Sequence, residues 1–210
     1  MSGDRRRFAP AAARNRDPIR DILRRWLPDR GLVLEIASGT GEHVVHFAQS
    51  CAPGLVFQPT DHDPDARTSI DAWVLALGLQ NVRPAVALDA ASADWPVAHA
   101  DAIVCINMIH ISPREATIGL CRGAARVLSP GGLLYLYGPF RRDGRHTSPG
   151  NARFDADLGR QNPEWGVRDL EAVTARAVGA GFAPPEIESM PANNLSLLFR
   201  RSAAARTPEV

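Results

Sequence analysis

The stretch Val33-Leu34-Glu35-Ile36-Ala37-Ser38-Gly39-Thr40-Gly41 decides the fold. It opens as a short apolar run carrying one carboxylate, then turns on small residues and two glycines. From Glu42 to Ser50 the pattern becomes helical, with Val44, Val45, Phe47 and Ala48 on one side. Strand, glycine turn and helix in this order make half of a βαβ unit, and such a turn lets a ligand approach the backbone. The dinucleotide fingerprint also asks for a third small residue three positions after its second glycine, so that helix and strand pack closely. Counted from Gly39 and Gly41 that position is Val44, and counted from Ala37 it is Glu42. Neither fits, so a nicotinamide-dependent oxidoreductase ranks third among the functional readings.

The same alternation runs outward. Leu55 to Thr60 is a second strand ending at Asp61, and Asp63-Pro64 caps a helix carrying Ile70, Trp73, Val74 and Leu77. Val82 to Leu88 is a third strand ending at Asp89, and Ala102 to Ile106 a fourth, running into Asn107-Met108-Ile109-His110. Ser112-Pro113-Arg114-Glu115 reads as a capping box, and Leu133 to Tyr137 as a fifth strand. Upstream, Asp17-Pro18 reads as an N-cap and first-turn proline before Ile19, Ile22, Leu23 and Trp26. The order predicts an α/β fold with a doubly wound, mostly parallel sheet. Residues 1–16 are expected as an N-terminal arm, 17–201 as one domain and 202–210 as a frayed tail. Within the domain, 138–166 is polar and rich in Gly, Pro and Asn, the signature of an irregular loop or mobile lid. A helix over about 167–180 and short strands near 186–190 and 195–200 close the chain.

Composition narrows the function. A chain of 210 residues, 45% apolar and 22% charged, supports one core. Its net charge of +1 gives no broad track for nucleic acid. All 24 basic residues are arginine, which excludes a lysine Schiff base. Cys51, Cys105 and Cys121 form no CxxC pair, so neither a metal site nor a disulfide is expected, and a reducing cytoplasm fits. No apolar run approaches the roughly 20 residues needed to span a bilayer.

Glu35, Asp61 and Asp89 end three successive strands, at the sheet edge where open α/β folds bind ligands. A carboxylate at the first position can meet a cationic amino group, at the second ribose hydroxyls, and at the third an exocyclic adenine amine. Taken singly, each is equally an N-cap or a solvated turn. Together with 33–41 and Val127-Leu128-Ser129-Pro130-Gly131-Gly132-Leu133, they make the chain resemble the class I S-adenosylmethionine-dependent methyltransferases. Pro10-Ala11-Ala12-Ala13-Arg14-Asn15, Ser148-Pro149-Gly150-Asn151, 165–171 and 191–196 resemble more narrowly an uncharacterised methyltransferase-like family of bacteria and animals. The resemblance covers roughly residues 8–201. It implies seven strands with a final antiparallel one, and S-adenosylmethionine held at the first glycine turn by Glu35, Ala37, Ser38, Gly39, Gly41, Asp61, Asp89 and Asn107. Arg14 and Asn15 would reach the cofactor from the arm. Ala37 stands where that class usually has glycine.

Methyl transfer is an in-line displacement in which positioning supplies much of the rate, so the catalytic candidates lie at the rim beyond the fourth and fifth strands. These are Asn107, His110 and Tyr137, with His110 either a base or an ordered structural histidine. Arg141, Arg142, Arg145, His146 and Arg153 form either a clamp for an anion or a solvated face. The expected partner is a small polar or anionic acceptor, with no nucleic acid and no membrane. A non-catalytic scaffold is the second reading. The residues specify neither the attacking atom nor the oligomeric state.

Overall fold

A computed structural model describes residues 4–203. Most of the expected tail, 204–210, and the first three residues of the expected arm lie outside it. Helix α1 (Pro10–Trp26) leads into β1 (Arg30–Ile36), α2 (Glu42–Ser50), β2 (Gly54–Pro59), α3 (Pro64–Leu77), β3 (Ala100–Ile106) and α4 (Arg114–Val127). The long strand β4 (Leu128–Arg142) is followed by β5 (Arg145–His146), α5 (Pro149–Gln161), β6 (Arg168–Asp169), α6 (Leu170–Gly179), β7 (Glu186–Met190) and β8 (Asn194–Arg200).

The main sheet runs β2-β1-β3-β4-β8-β7, with β8 antiparallel to both of its neighbours. Beyond β2 the expected third strand is present only as parallel bridges, Phe57 to Val82 and Thr60 to Val86. Pro84 has no N–H to give a ladder, which confines this segment to an edge. Residues alternate across the sheet. Val33, Val104, Tyr135 and Leu198 face α1, α2 and α3, whereas Leu34, Ile103, Leu136 and Phe199 face α4 and α6. Burial on both faces is what turns the strand sequences into near-continuous apolar runs. Between β4 and β8 the buried Tyr135 and Ser196 hydroxyls bond at 2.7 Å.

Three expectations are corrected. First, the opening helix starts at Pro10, and Pro18 lies inside it. Proline is as well suited to the first turn at position 10, and burial of Ala12 carries the Ile19–Leu23 face a further two turns back. The expected arm therefore shrinks to 4–9 among the described residues. Second, 138–166 is ordered: β4 runs on to Arg142, turns through Asp143-Gly144 into β5, and Ser148 caps α5 by accepting from the Asn151 N–H at 3.1 Å. Ser148-Pro149 is the same signal that starts α3, hidden here by polar surroundings. Third, no capping box forms at Ser112; its hydroxyl donates back to the Met108 carbonyl at 2.8 Å. No described helix is long and apolar enough to cross a membrane.

Gly41 has φ 91°, and a Cβ there would lie 2.8 Å from the Ile70 Cα. Gly41→Ala combines backbone strain with overpacking, so we expect it to cost about 1–3 kcal/mol. Urea unfolding measures this.

Candidate cofactor cleft

The topological switch lies between β1 and β3, because α2 and α3 cover one face of the sheet and α4 the other. Outside the carboxyl ends of these strands is a cleft of about 690 Å³, lined in part by Ala37, Gly39, Asp61, Leu88, Asp89 and Met108. Its size falls within the roughly 300–1,000 Å³ usual for small-molecule sites.

The floor is the turn after β1. Ala37, Gly39 and Gly41 all have left-handed φ, at 54°, 58° and 91°. At Gly39 a side chain would meet nothing within 4 Å, so the turn presents bare backbone to open space. Asp61, 5% exposed, braces it: one carboxylate oxygen accepts from the Gly39 N–H at 2.9 Å and the other from the Asp63 N–H at 3.0 Å. The Ser38 N–H donates to the Thr60 carbonyl at 2.8 Å, and Thr60 donates back to the Glu35 carbonyl through its N–H and hydroxyl. Asp89 sits exposed at the rim, accepting from the Ala91 N–H at 2.8 Å.

Glu35 lies beneath the turn. It is 3% exposed, and its Oε2 has no hydrogen-bond partner. Burial, reinforced by the Asp61 charge, pushes its carboxyl up to about 8. An unpartnered buried carboxyl is costly, and such groups cluster at functional sites.

Of the residues expected at the site, Ala37, Gly39, Asp61 and Asp89 line the cleft, while Glu35, Ser38 and Gly41 belong to the turn behind it. Asn107 also takes a left-handed φ, 60°, and its N–H donates to the Tyr137 carbonyl at 2.8 Å. The Tyr137 side chain lies in the core on the α1–α3 face, beside Asn15, and burial raises its phenol. Asn15 Oδ1 is 2.8 Å from His43 Nε2, and Arg14 is exposed on α1, outside the cleft wall. His110 is fully buried against the edge of Phe140. Its Nδ1 accepts from the Arg168 N–H at 3.3 Å, which assigns the ring proton to Nε2, and burial lowers the imidazole to about 3. Four of the five basic residues lie on the β4–β5 hairpin, Arg141 opposite His146 and Arg142 opposite Arg145, and Arg153 lies on α5. Arg141 pairs with Asp169 at 3.3 Å and His146 with Asp155 at 3.1 Å, while Arg142, Arg145 and Arg153 are exposed.

Sequence reasoning missed the far wall, where Met108, Ile111, Ser112, Glu115, Glu164 and Trp165 close the cleft. The one available signal was the Trp165-Gly166 pair, which ends a polar stretch and is tied back by the Gly166 N–H to the His110 carbonyl at 2.9 Å.

The strand order, with its antiparallel last strand, is that of the Rossmann-like class I methyltransferase fold. The chain belongs to the family described as "Protein of unknown function (DUF938)", which matches residues 6–201. Among solved structures it is similar to an O-methyltransferase family protein from Burkholderia thailandensis, with TM-score 0.78, 22% identity and 92% of this chain covering 58% of that one. An O-methyltransferase family 2 protein from Planctomyces limnophilus, in complex with apigenin, matches at TM-score 0.73 and 19% identity, over 91% of this chain and 58% of that one. Human N-acetylserotonin methyltransferase, in complex with SAM, matches at 0.71 and 15%, over 92% and 53%. The chain thus spans little more than half the length of these three proteins, and at such identities the likeness establishes the fold.

The pH dependence of stability follows from the displaced groups. Glu35 holds its proton up to about 8 when folded, against 4.5 for the free group, so the protein loses stability as pH climbs through that window. Glu35→Gln should flatten this loss and leave the free protein more stable at pH 8, measured by urea unfolding from pH 5 to 8.5. His43, lowered to about 4, and His110, lowered to about 3, work in the opposite sense. They withdraw stability as pH falls from 6.5 toward those values.

Proposed function

We propose that this protein transfers a methyl group from S-adenosylmethionine to a small polar or anionic acceptor. The observation that carries the reading is the bare left-handed turn at Gly39, flanked by Glu35 and Asp61 and opening on the cleft. When bound, S-adenosylmethionine supplies an electrophilic methyl on a sulfonium. Glu35, buried and with an orphaned oxygen, suits its cationic amino group. Asp61 has acceptor capacity left beyond two backbone donors for the ribose hydroxyls, and Asp89 stands at the rim for the adenine amine. Leu88 and Met108 offer apolar walls for a purine.

On the acceptor side, the reading gives His110 a positioning role rather than that of a base. Its Nδ1 lone pair is engaged by the Arg168 N–H and the protonated Nε2 is buried against Gly138, so the neutral ring fixes the end of β3 against β4 rather than meeting the acceptor itself. The backbone bond from the Asn107 N–H to the Tyr137 carbonyl ties that edge of β3 to β4. In-line displacement then depends on alignment and on exclusion of water from the cleft. The Planctomyces limnophilus relative in complex with apigenin supports an acceptor of small-molecule size.

Titration calorimetry against S-adenosylhomocysteine and NADH tests the cofactor. We expect binding of the first alone, weakened by about 1–3 kcal/mol in Asp61→Ala through lost hydrogen bonds. Absence of heat with the folded protein would leave the scaffold reading, and heat with NADH alone the oxidoreductase. With methyl-labelled cofactor, a metabolite pool should take up label and bulk RNA should not.

A further inference from the structure

Residues 4–9 precede α1 and lie across α3 and the start of α2. Phe8, although 65% exposed, sits edge-on to Trp73 with ring centres 5.0 Å apart, and the Arg6 guanidinium lies 4.9 Å from the same ring. The Trp73 indole N–H donates to the Arg7 carbonyl at 3.0 Å. Beneath this surface are two buried side chains that the cofactor cleft does not use. Ser69, 0% exposed, accepts from the Arg7 N–H at 2.8 Å and donates to the Thr40 carbonyl at 2.8 Å. Glu42, 6% exposed, accepts on Oε2 from the Ala9 N–H at 2.5 Å and from the Thr40 hydroxyl at 3.0 Å. Each of these side chains therefore holds the N-terminal segment and Thr40 together, and Thr40 lies between the two glycines of the cofactor turn.

We propose that residues 4–9 are a strap that sets the conformation of the glycine turn, with Glu42 and Ser69 as its positioning residues. Strap docking and occupation of the cleft are then coupled, and this second clause rests on the proposed cofactor. The physical basis is over-determination. Ala37 is strained in its left-handed conformation and the two glycines beyond it are conformationally free, so the turn keeps one shape only where its surroundings hold it. Asp61 holds Gly39 from the cleft side, and the strap holds Thr40 from the side of α3. Lifting the strap removes one of the two donors to the buried Glu42 carboxylate, which must then find water by shifting the start of α2. By reciprocity, a ligand that fixes the turn holds the strap down.

The test uses the full chain with two variants. Glu42→Leu removes the shared acceptor at similar volume, whereas Phe8→Ala loosens the strap at an exposed ring that touches Trp73 and not the turn, so the domain stays folded. Amide exchange at residues 39–41 should rise about fivefold or more in both variants, with α6 unchanged as an internal control. In the wild type, S-adenosylhomocysteine should slow trypsin cleavage at Arg5, Arg6 and Arg7 by a comparable factor. Unchanged exchange at 39–41 in Glu42→Leu overturns the positioning role. A rise in Glu42→Leu alone overturns the strap and leaves Glu42 a local prop of the turn. A wild type that takes up no S-adenosylhomocysteine refutes the proposed cofactor, and exchange at 39–41 still decides the strap.

Discussion

The hydrogen bond from the Gly39 N–H to the Asp61 carboxylate, 2.9 Å long, is the contact on which the rest of the site depends. Left-handed backbone at Ala37, Gly39 and Gly41 bends the chain sharply from β1 into α2; Ala37 takes it at a cost, and the two glycines are free to leave it. The turn must be held from outside. Asp61 can do so because β1 and β2 pair in parallel from Arg30 and Gly54 onward, which brings both strand ends to one edge. Its own backbone then engages the next segment, its N–H donating to the Val86 carbonyl at 3.2 Å and its carbonyl accepting from the Leu88 N–H at 3.4 Å. One aspartate therefore sets the spacing of three strand ends, and with them the width of the cleft.

The same crowding of chain ends removes water from groups that would prefer it. Glu35 and His110 sit on either side of the switch point, and both are driven toward their neutral forms by burial. For Glu35 this is a standing cost, because an oxygen without a partner lies in a nearly dry site. For His110 it is a constraint on role. A ring held by the Arg168 N–H and by Phe140 keeps its orientation and its tautomer, and it gains precision at the expense of basicity. Gly138 belongs to this arrangement, since a Cβ there would collide with the imidazole.

The second half of the chain completes the pocket from a distance. Strand β4 overruns its neighbours to Arg142, so the segment that returns through β5 and α5 is pinned against it. Pairing of Phe140 with Arg168 in β6 then brings Glu164 and Trp165 over the cleft mouth. The Arg168 guanidinium secures that position by donating to the Ile109, Ser112 and Glu164 carbonyls. What reads as an irregular lid is thereby a braced wall.

Sequence alone determined the repeating strand-turn-helix order, the three strand-end acids and the glycine turn, because each rests on local propensity or on a periodicity of a few residues. It misplaced the start of α1, since proline fits the first turn equally well at 10 and 18, and only burial of Ala12 against the fold distinguishes them. It likewise placed α5 in a loop, because that helix buries little more than Asn151 and Leu158 and so carries almost no apolar signal. The tertiary structure alone decided that Tyr137 turns into the core, that His110 is sealed and neutral, and that Trp165 meets Asp61 across one cleft. Those relations depend on which strand ends lie side by side, and strand order is set by the packing of two helical layers on one sheet, which no short stretch of sequence records.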